Sequence, residues 1–243
     1  DSVASRGLGD VYKRQVGGIA ERQVNYYQTF SMHYLWSDDY WLLLMQLYLK
    51  KPIGIKPLYS RAMVDLSLAL HIPPQTLYEQ MFKLRRLDTP RLEKLWKDYA
   101  THPNKLARDV KRLRKMHGFG QAETFYDGVE INESFEQDFQ PLKEDEELMP
   151  IMLIIILDLY FRLIPMTMVS DTPEIIKLAK QMRLKPQKVV EVMEVFQFCD
   201  PYLNSENLLI HPLLAPCQEI WQRYGNTNPE QLAALASQLK DYF

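Results

Sequence analysis

The sequence predicts an all-α fold of two related helical modules, and three observations carry that prediction. The first is an internal repeat: residues 45–88 match residues 157–200 at a constant offset of 112, without a gap. Eight of the 44 pairs are identical: Leu47/Leu159, Tyr48/Tyr160, Leu66/Leu178, Pro74/Pro186, Gln75/Gln187, Glu79/Glu191, Met81/Met193 and Asp88/Asp200. About three would arise by chance at average residue usage. The second is apolar residues spaced at the helical period between proline and Ser/Thr/Asp start signals. The third is a shortage of glycine: only nine in the 243 residues, four of them within the first 18, leave little material for hairpins.

Taken in order, the chain opens on a segment that does not read as native protein. Ser5 to Gln15 matches the translation of a transposase mosaic-end adapter, whose codons run GAT GTG TAT AAG AGA CAG across Asp10 to Gln15. Residues 1–15 are therefore set aside as a scar. The first module is expected over residues 34–116. Its first helix runs from Asp38 to Lys50, opened by Ser37 and Asp38 as cap candidates and stopped ahead of Pro52. A second spans Arg61 to Leu70, with Met63, Leu66 and Leu70 on one face. After the turn Ile72-Pro73-Pro74-Gln75, Leu77, Met81 and Leu84 repeat at i, i+4, i+7 in a helix from Pro74 to Leu87.

The second module is expected over residues 147–243. Leu148 to Leu157 is apolar apart from Pro150, but Asp158 and Arg162 cut it short of the ~20 residues a membrane span needs. It reads as a buried helix, and no membrane partner is expected. Thr172-Pro173-Glu174 is a helix start, and Leu184-Lys185-Pro186 repeats the short turn of the first copy. A further block pairs Trp96/Trp221, Tyr99/Tyr224, Pro103/Pro229 and Leu106/Leu232 at offsets of 125 and 126. About a dozen extra residues separate the two blocks in the second copy, as a surface loop allows. One short hairpin is expected near Tyr126 to Phe135.

Charge divides the middle of the chain. Lys83 to Lys115 holds 12 basic and 4 acidic residues, whereas Met116 to Pro150 holds 1 basic and 10 acidic. Residues 117–146 are read as an acidic linker, either solvated or folded back onto the basic face. The whole-chain net charge of −2 provides no global attraction to nucleic acid, so any such function must be local.

The most informative constellation is the helix, turn and helix of Met63 to Asp88, whose apolar spacing suits a helix-turn-helix. In that reading the second helix offers Gln75, Thr76, Glu79, Gln80 and Lys83 to base edges, with Arg85 and Arg86 reaching phosphates. Arg108, Lys111, Arg112 and Lys115 share one face of a following helix and would track the backbone. An ordinary αα-hairpin with a solvated polar side accounts for the same pattern. The counterpart segment Gln231 to Lys240 carries almost no charge, so the second module reads as structural, or as a surface for self-association or a protein partner.

Trp36-Ser37-Asp38-Asp39 leading to Leu47-Tyr48-Leu49-Lys50-Lys51-Pro52 resembles the helical N-terminal region of bacterial HNH endonucleases. The second copy resembles it through Leu157 to Arg162, Pro173-Glu174-Ile175-Ile176, Asp200-Pro201 and Ile220-Trp221. The resemblance implies a helical, DNA-associating region. The nuclease histidines of that family are missing: His33, His71, His102, His117 and His211 are all isolated.

Other chemistry is weak. The histidines have no i, i+3 or i+4 ligand partner, and Cys199 and Cys217 form no zinc motif, so neither metal nor cofactor is expected. The two cysteines suit a reducing compartment, which makes the expected location cytoplasmic. Asp38 and Asp39 are helix-start charges rather than a catalytic pair. The aromatic group Tyr26, Tyr27, Phe30, Tyr34, Trp36, Tyr40 and Trp41 reads as core packing. The expected function is therefore non-catalytic DNA binding by the first module, against the alternative of a helical protein-interaction scaffold. Because an adapter is never selected to fold, deleting residues 1–15 should leave the thermal midpoint unchanged. A loss above ~1 kcal/mol, the centre of ordinary mutational costs, would show them to be structural.

Overall fold

The computed structural model describes residues 36–116, 119, 134–203 and 210–243. Within them the fold is all-α. Five helices build the first module: α1 (Tyr40–Leu49), α2 (Arg61–Leu70), α3 (Pro74–Arg86), α4 (Pro90–Tyr99) and α5 (Pro103–Leu113). A short α6 (Ser134–Asp138) leads to α7 (Pro150–Tyr160), α8 (Pro173–Met182), α9 (Pro186–Cys199), α10 (Leu214–Tyr224) and α11 (Pro229–Leu239). Single 3₁₀ turns follow α7 at Pro165–Thr167 and α11 at Lys240–Tyr242.

Proline sets most of the starts. Seven of these α-helices begin on it, because its fixed φ suits the first turn and its missing N–H would have no intrahelical partner there. Thr89 caps α4 by accepting the Leu92 amide at 3.3 Å, and Asn228 caps α11 by accepting the Glu230 amide at 2.9 Å. Two expected caps act differently. Ser37 accepts from the Asp39 amide, so α1 begins at Tyr40, and Thr172 turns its hydroxyl back to the carbonyl of Thr167.

The repeat is visible in the geometry. Arg61 and Pro173, which open α2 and α8, stand 112 residues apart, as do Pro74 and Pro186, which open α3 and α9. Both first turns end on a non-glycine residue in the left-handed region, His71 (φ 54°) and Arg183 (φ 59°). The following amide reaches back five residues each time, Ile72 to Ser67 at 3.1 Å and Leu184 to Ala179 at 2.9 Å, satisfying a helix-end carbonyl. Tyr48 meets Trp96 edge-on at 5.8 Å, and Tyr160 meets Trp221 edge-on at 5.9 Å. The same aromatic contact thus recurs at positions paired by the repeat.

Two apolar cores result. The first gathers Leu44, Met45, Met63, Leu77, Met81, Leu84, Leu92, Leu106 and Val110; the second gathers Ile154, Ile155, Ile175, Val189, Met193, Phe196, Cys217, Ile220, Leu232 and Ala236. They meet along α2, which sends Met63, Leu66 and Leu70 into the first and Val64 into the second. The 3₁₀ turn after α11 packs on α2, with the Arg61 guanidinium 5.5 Å from the centre of the Tyr242 ring.

Among the described residues there is no strand. The end of the expected hairpin, Ser134 and Phe135, is helical, and the rest of it lies outside the described residues. Two carboxylates in the described part of the acidic linker pair with cations of the second module. Asp138 makes a two-pronged ion pair with Arg223 at 2.6 and 2.7 Å, and Asp145 pairs with Lys188 at 2.9 Å. Burial opposes ionisation of Asp145, yet hydrogen bonds from Lys188 and the Glu147 amide overcome it and hold the carboxyl below the usual aspartate value. No helix among the described residues is long and apolar enough to cross a membrane.

The Asp138–Arg223 pair fastens α6 to α10 in a partly buried setting. Asp138→Ala should therefore destabilise the fold by about 1.5–3 kcal/mol, the range for hydrogen bonds to charged groups. Chemical denaturation followed by circular dichroism measures it, and an unchanged midpoint would mean that α6 is held by Phe139 packing alone.

Candidate functional site

The residues expected to bind DNA separate into three places. At the start of α3, Gln75 donates a hydrogen bond to the Tyr59 hydroxyl at 2.6 Å. It lines a small crevice of about 60 Å³ shared with Phe135, Asp138, Tyr224 and Leu239, where the second module meets the first. Thr76, only 2% exposed, faces the core. The expectation that it reaches a base edge is therefore corrected: α3 packs against both α1 and α2, which leaves its first turn little open surface. In a helix-turn-helix that first turn contacts bases. Here it is part of the junction between modules. Burial raises the Tyr59 phenol above its ordinary pKa, while the Gln75 hydrogen bond acts the other way, so Tyr59 stays protonated at neutral pH.

Gln80 and Lys83 lie further along α3 and line a groove of about 520 Å³ with Trp36, Trp41 and Arg91. That groove also carries Asp38, Glu79 and Asp88, and Arg91 is paired with Asp38. Three carboxylates against two cations make a poor phosphate cradle. Arg85 and Arg86 are exposed at the end of α3, with Arg86 3.4 Å from Asp88. Trp36 and Trp41 line this groove, edge-on to each other at 4.8 Å, and Trp36 also meets Tyr40 edge-on at 5.9 Å. Tyr26, Tyr27, Phe30 and Tyr34 lie outside the described residues.

The third place is α5. Leu106, Val110 and Leu113 turn inward, so Arg108, Lys111 and Arg112 emerge together on the opposite face, with Lys115 in the turn that follows, all exposed. Arg108 has its neighbour Asp109 at 3.4 Å; the other three have no ion-pair partner among the described residues. The stripe is a run of charge at one-turn spacing, which can follow a phosphate backbone but cannot by itself distinguish bases.

Sequence reasoning missed a different feature, an apolar ledge on the second module. Phe161, Ile164, Met166 and Val169 are exposed, Met166 by 87%, and Phe161 rests on Trp221 at 5.4 Å. The interrupted apolar run after Tyr160 carried that signal. No group of three or more metal-binding side chains occurs among the described residues. His71 donates a 2.9 Å hydrogen bond from Nδ1 to Glu136 Oε1 beside the junction. No family model matches the chain, no curated protein matches it, and no solved structure matches it.

The cysteines sit in the second core, with Cys217 fully buried. Burial pushes their thiols up, Cys199 to about 11 and Cys217 to about 12. Since the thiolate is the reactive form, neither should alkylate readily in the folded protein below pH 10. Iodoacetamide labelling at pH 8 should run roughly a hundred-fold slower than for an unfolded control, a factor that follows from about two pKa units. Equal rates would overturn the burial argument.

Proposed function

We propose that the chain is a non-catalytic binding protein whose first module holds a nucleic-acid duplex through its phosphates. The observation that carries the reading is the exposed α5 stripe of Arg108, Lys111, Arg112 and Lys115, three of which have no ion-pair partner among the described residues. Arg85 and Arg86 at the end of α3 would add cations nearby in sequence. Base reading by Gln75 and Thr76 is dropped, because the junction with the second module occupies that turn. The binding expected is therefore tolerant of sequence. The resemblance of Trp36 to Pro52 to a DNA-associating region of HNH endonucleases points the same way.

The apolar ledge from Phe161 to Val169 favours a second reading, a scaffold that self-associates or docks a protein partner through the second module. Scattered apolar residues are ordinary on a surface, but four within nine positions form a contact patch. One titration separates the readings. Duplex binding should weaken with salt by about 0.9 log units per log unit of salt for each phosphate contacted. Replacing the four stripe residues by Ala should flatten that slope by roughly three to four units. Absence of binding at tens of micromolar in low salt, together with salt-insensitive self-association in sedimentation, would leave the scaffold reading.

A further inference from the structure

Each module carries a cavity in the same place, and the two are built from paired residues. The cavity of the first module lies between α1, α2 and α5 and is lined by Leu47, Lys50, Ala62, Asp65, Leu66 and Arg114 among others. That of the second is lined by Leu159, Arg162, Glu174, Lys177, Leu178 and Lys240. The first five of each set stand 112 residues apart, and Arg114 and Lys240 stand 126 apart, the offset of the second repeat block. The repeat therefore preserves a concavity as well as a set of helices.

Their contents differ in two ways. Ala62 stands where Glu174 fills the second cavity, and the volumes are about 660 Å³ and 230 Å³ respectively. The larger value falls within the ~300–1,000 Å³ of small-molecule sites. The second difference is charge. Beneath the second cavity Asp158, 4% exposed, bonds Arg162 and lies 3.9 Å from the Lys240 ammonium. The first cavity has Gln46 at the paired position, so its two cations lose that buried counter-charge. Neither Lys50 nor Arg114 has an ion-pair partner among the described residues. Both stand at the edge of a floor made by Leu43, Leu47, Leu66 and Leu106.

We propose that the first cavity binds a small amphipathic anion, an apolar body of fatty-acid size carrying a single acidic head. The leucine floor takes the body, and Lys50 and Arg114 at its edge take the head, since the neutral Gln46 beside them supplies no carboxylate of its own. Charge pairing beside an apolar floor is stronger than in open water, which makes the head a selective feature. Asp65 on the same rim leaves the cavity with a net charge of +1, matched by one negative charge rather than two. The second cavity supplies its own anion and is closed to this ligand. Nothing here depends on the α5 stripe, whose residues lie on the outer face of the helix.

The test uses the whole chain with anilinonaphthalene sulfonate as a fluorescent probe and decanoate, decanol and decyltrimethylammonium as competitors. Decanoate should displace the probe at least ten-fold more effectively than decanol, and the cation should not displace it. Gln46→Asp, which installs the carboxylate of the second module, should weaken decanoate binding at least ten-fold and leave decanol unchanged. Lys50→Gln, at an exposed position, should weaken decanoate in the same direction; thermal melts monitor both variants. Met166→Ser should leave decanoate binding intact, separating the cavity from the apolar ledge. Arg108→Ala with Lys111→Ala should also leave it intact, separating it from duplex binding. Equal displacement by decanoate and decanol, or indifference of decanoate to both Gln46→Asp and Lys50→Gln, would overturn the proposal.

Discussion

Helix α2 has to be apolar on two sides, and the joining of the modules rests on that demand. In ten residues it places Met63, Leu66 and Leu70 in one core and Val64 in the other, leaving Arg61 and Asp65 outward. Each buried aliphatic side chain contributes about 1.5–3 kcal/mol when removed from water, so neither face can be exposed cheaply. The modules therefore share α2 as a wall. That sharing brings Tyr59 against Phe139 and seats the turn after α11 on α2. It also decides the fate of α3, whose first turn is drawn into the same junction.

The two copies have used one helix differently. Positions 80 and 83 of α3 are Gln and Lys facing a polar groove, whereas their partners on α9 are Val192 and Val195, both buried. The second copy packs that face of α9 against α7 and α10, and it thereby gains core and loses surface. In the first copy the same face keeps Trp36 and Trp41 on one side and charged residues on the other. A duplication relaxes the requirement that both copies perform one task, and the residues show the division. Polar chemistry stays with α3 and α5; apolar bulk accumulates in α7, α9 and α10.

Helix positions were legible in the sequence because proline and the repeat both mark them. Pro74, Pro173 and Pro186 open helices where expected, and the pairing of Trp96 with Trp221 anticipates two matching aromatic contacts. The side on which a polar residue falls was less legible. Thr76 looks like a surface residue on a helical wheel drawn for one packing partner, and α3 has two. Which carboxylates of the linker find a cation was hidden for a related reason. Asp138 and Arg223 are 85 residues apart, and only the tertiary fold shows that a carboxylate in an acidic run has a private cation. The paired cavities were within reach, since the exchange of Gln46 for Asp158 is written in the same offset that revealed the repeat.

This distribution of charge bears on how a chain of net −2 can present exposed positive charge. A uniform mixture of signs would cancel beyond one Debye length, about 8 Å at physiological ionic strength. Two described carboxylates of the linker are taken out of that mixture by pairing locally on the second module, Asp138 with Arg223 and Asp145 with Lys188. Arg108 to Arg112 spans about 6 Å along α5 at 1.5 Å per residue, within the screening length, so the fields of Arg108, Lys111 and Arg112 add. Local pairing on one module, and its absence at Lys111, Arg112 and Lys115 on the other among the described residues, leave positive charge exposed on a weakly acidic protein. Net charge is then a poor guide to the partner, and the placement of the few charges without counter-ions is the better one.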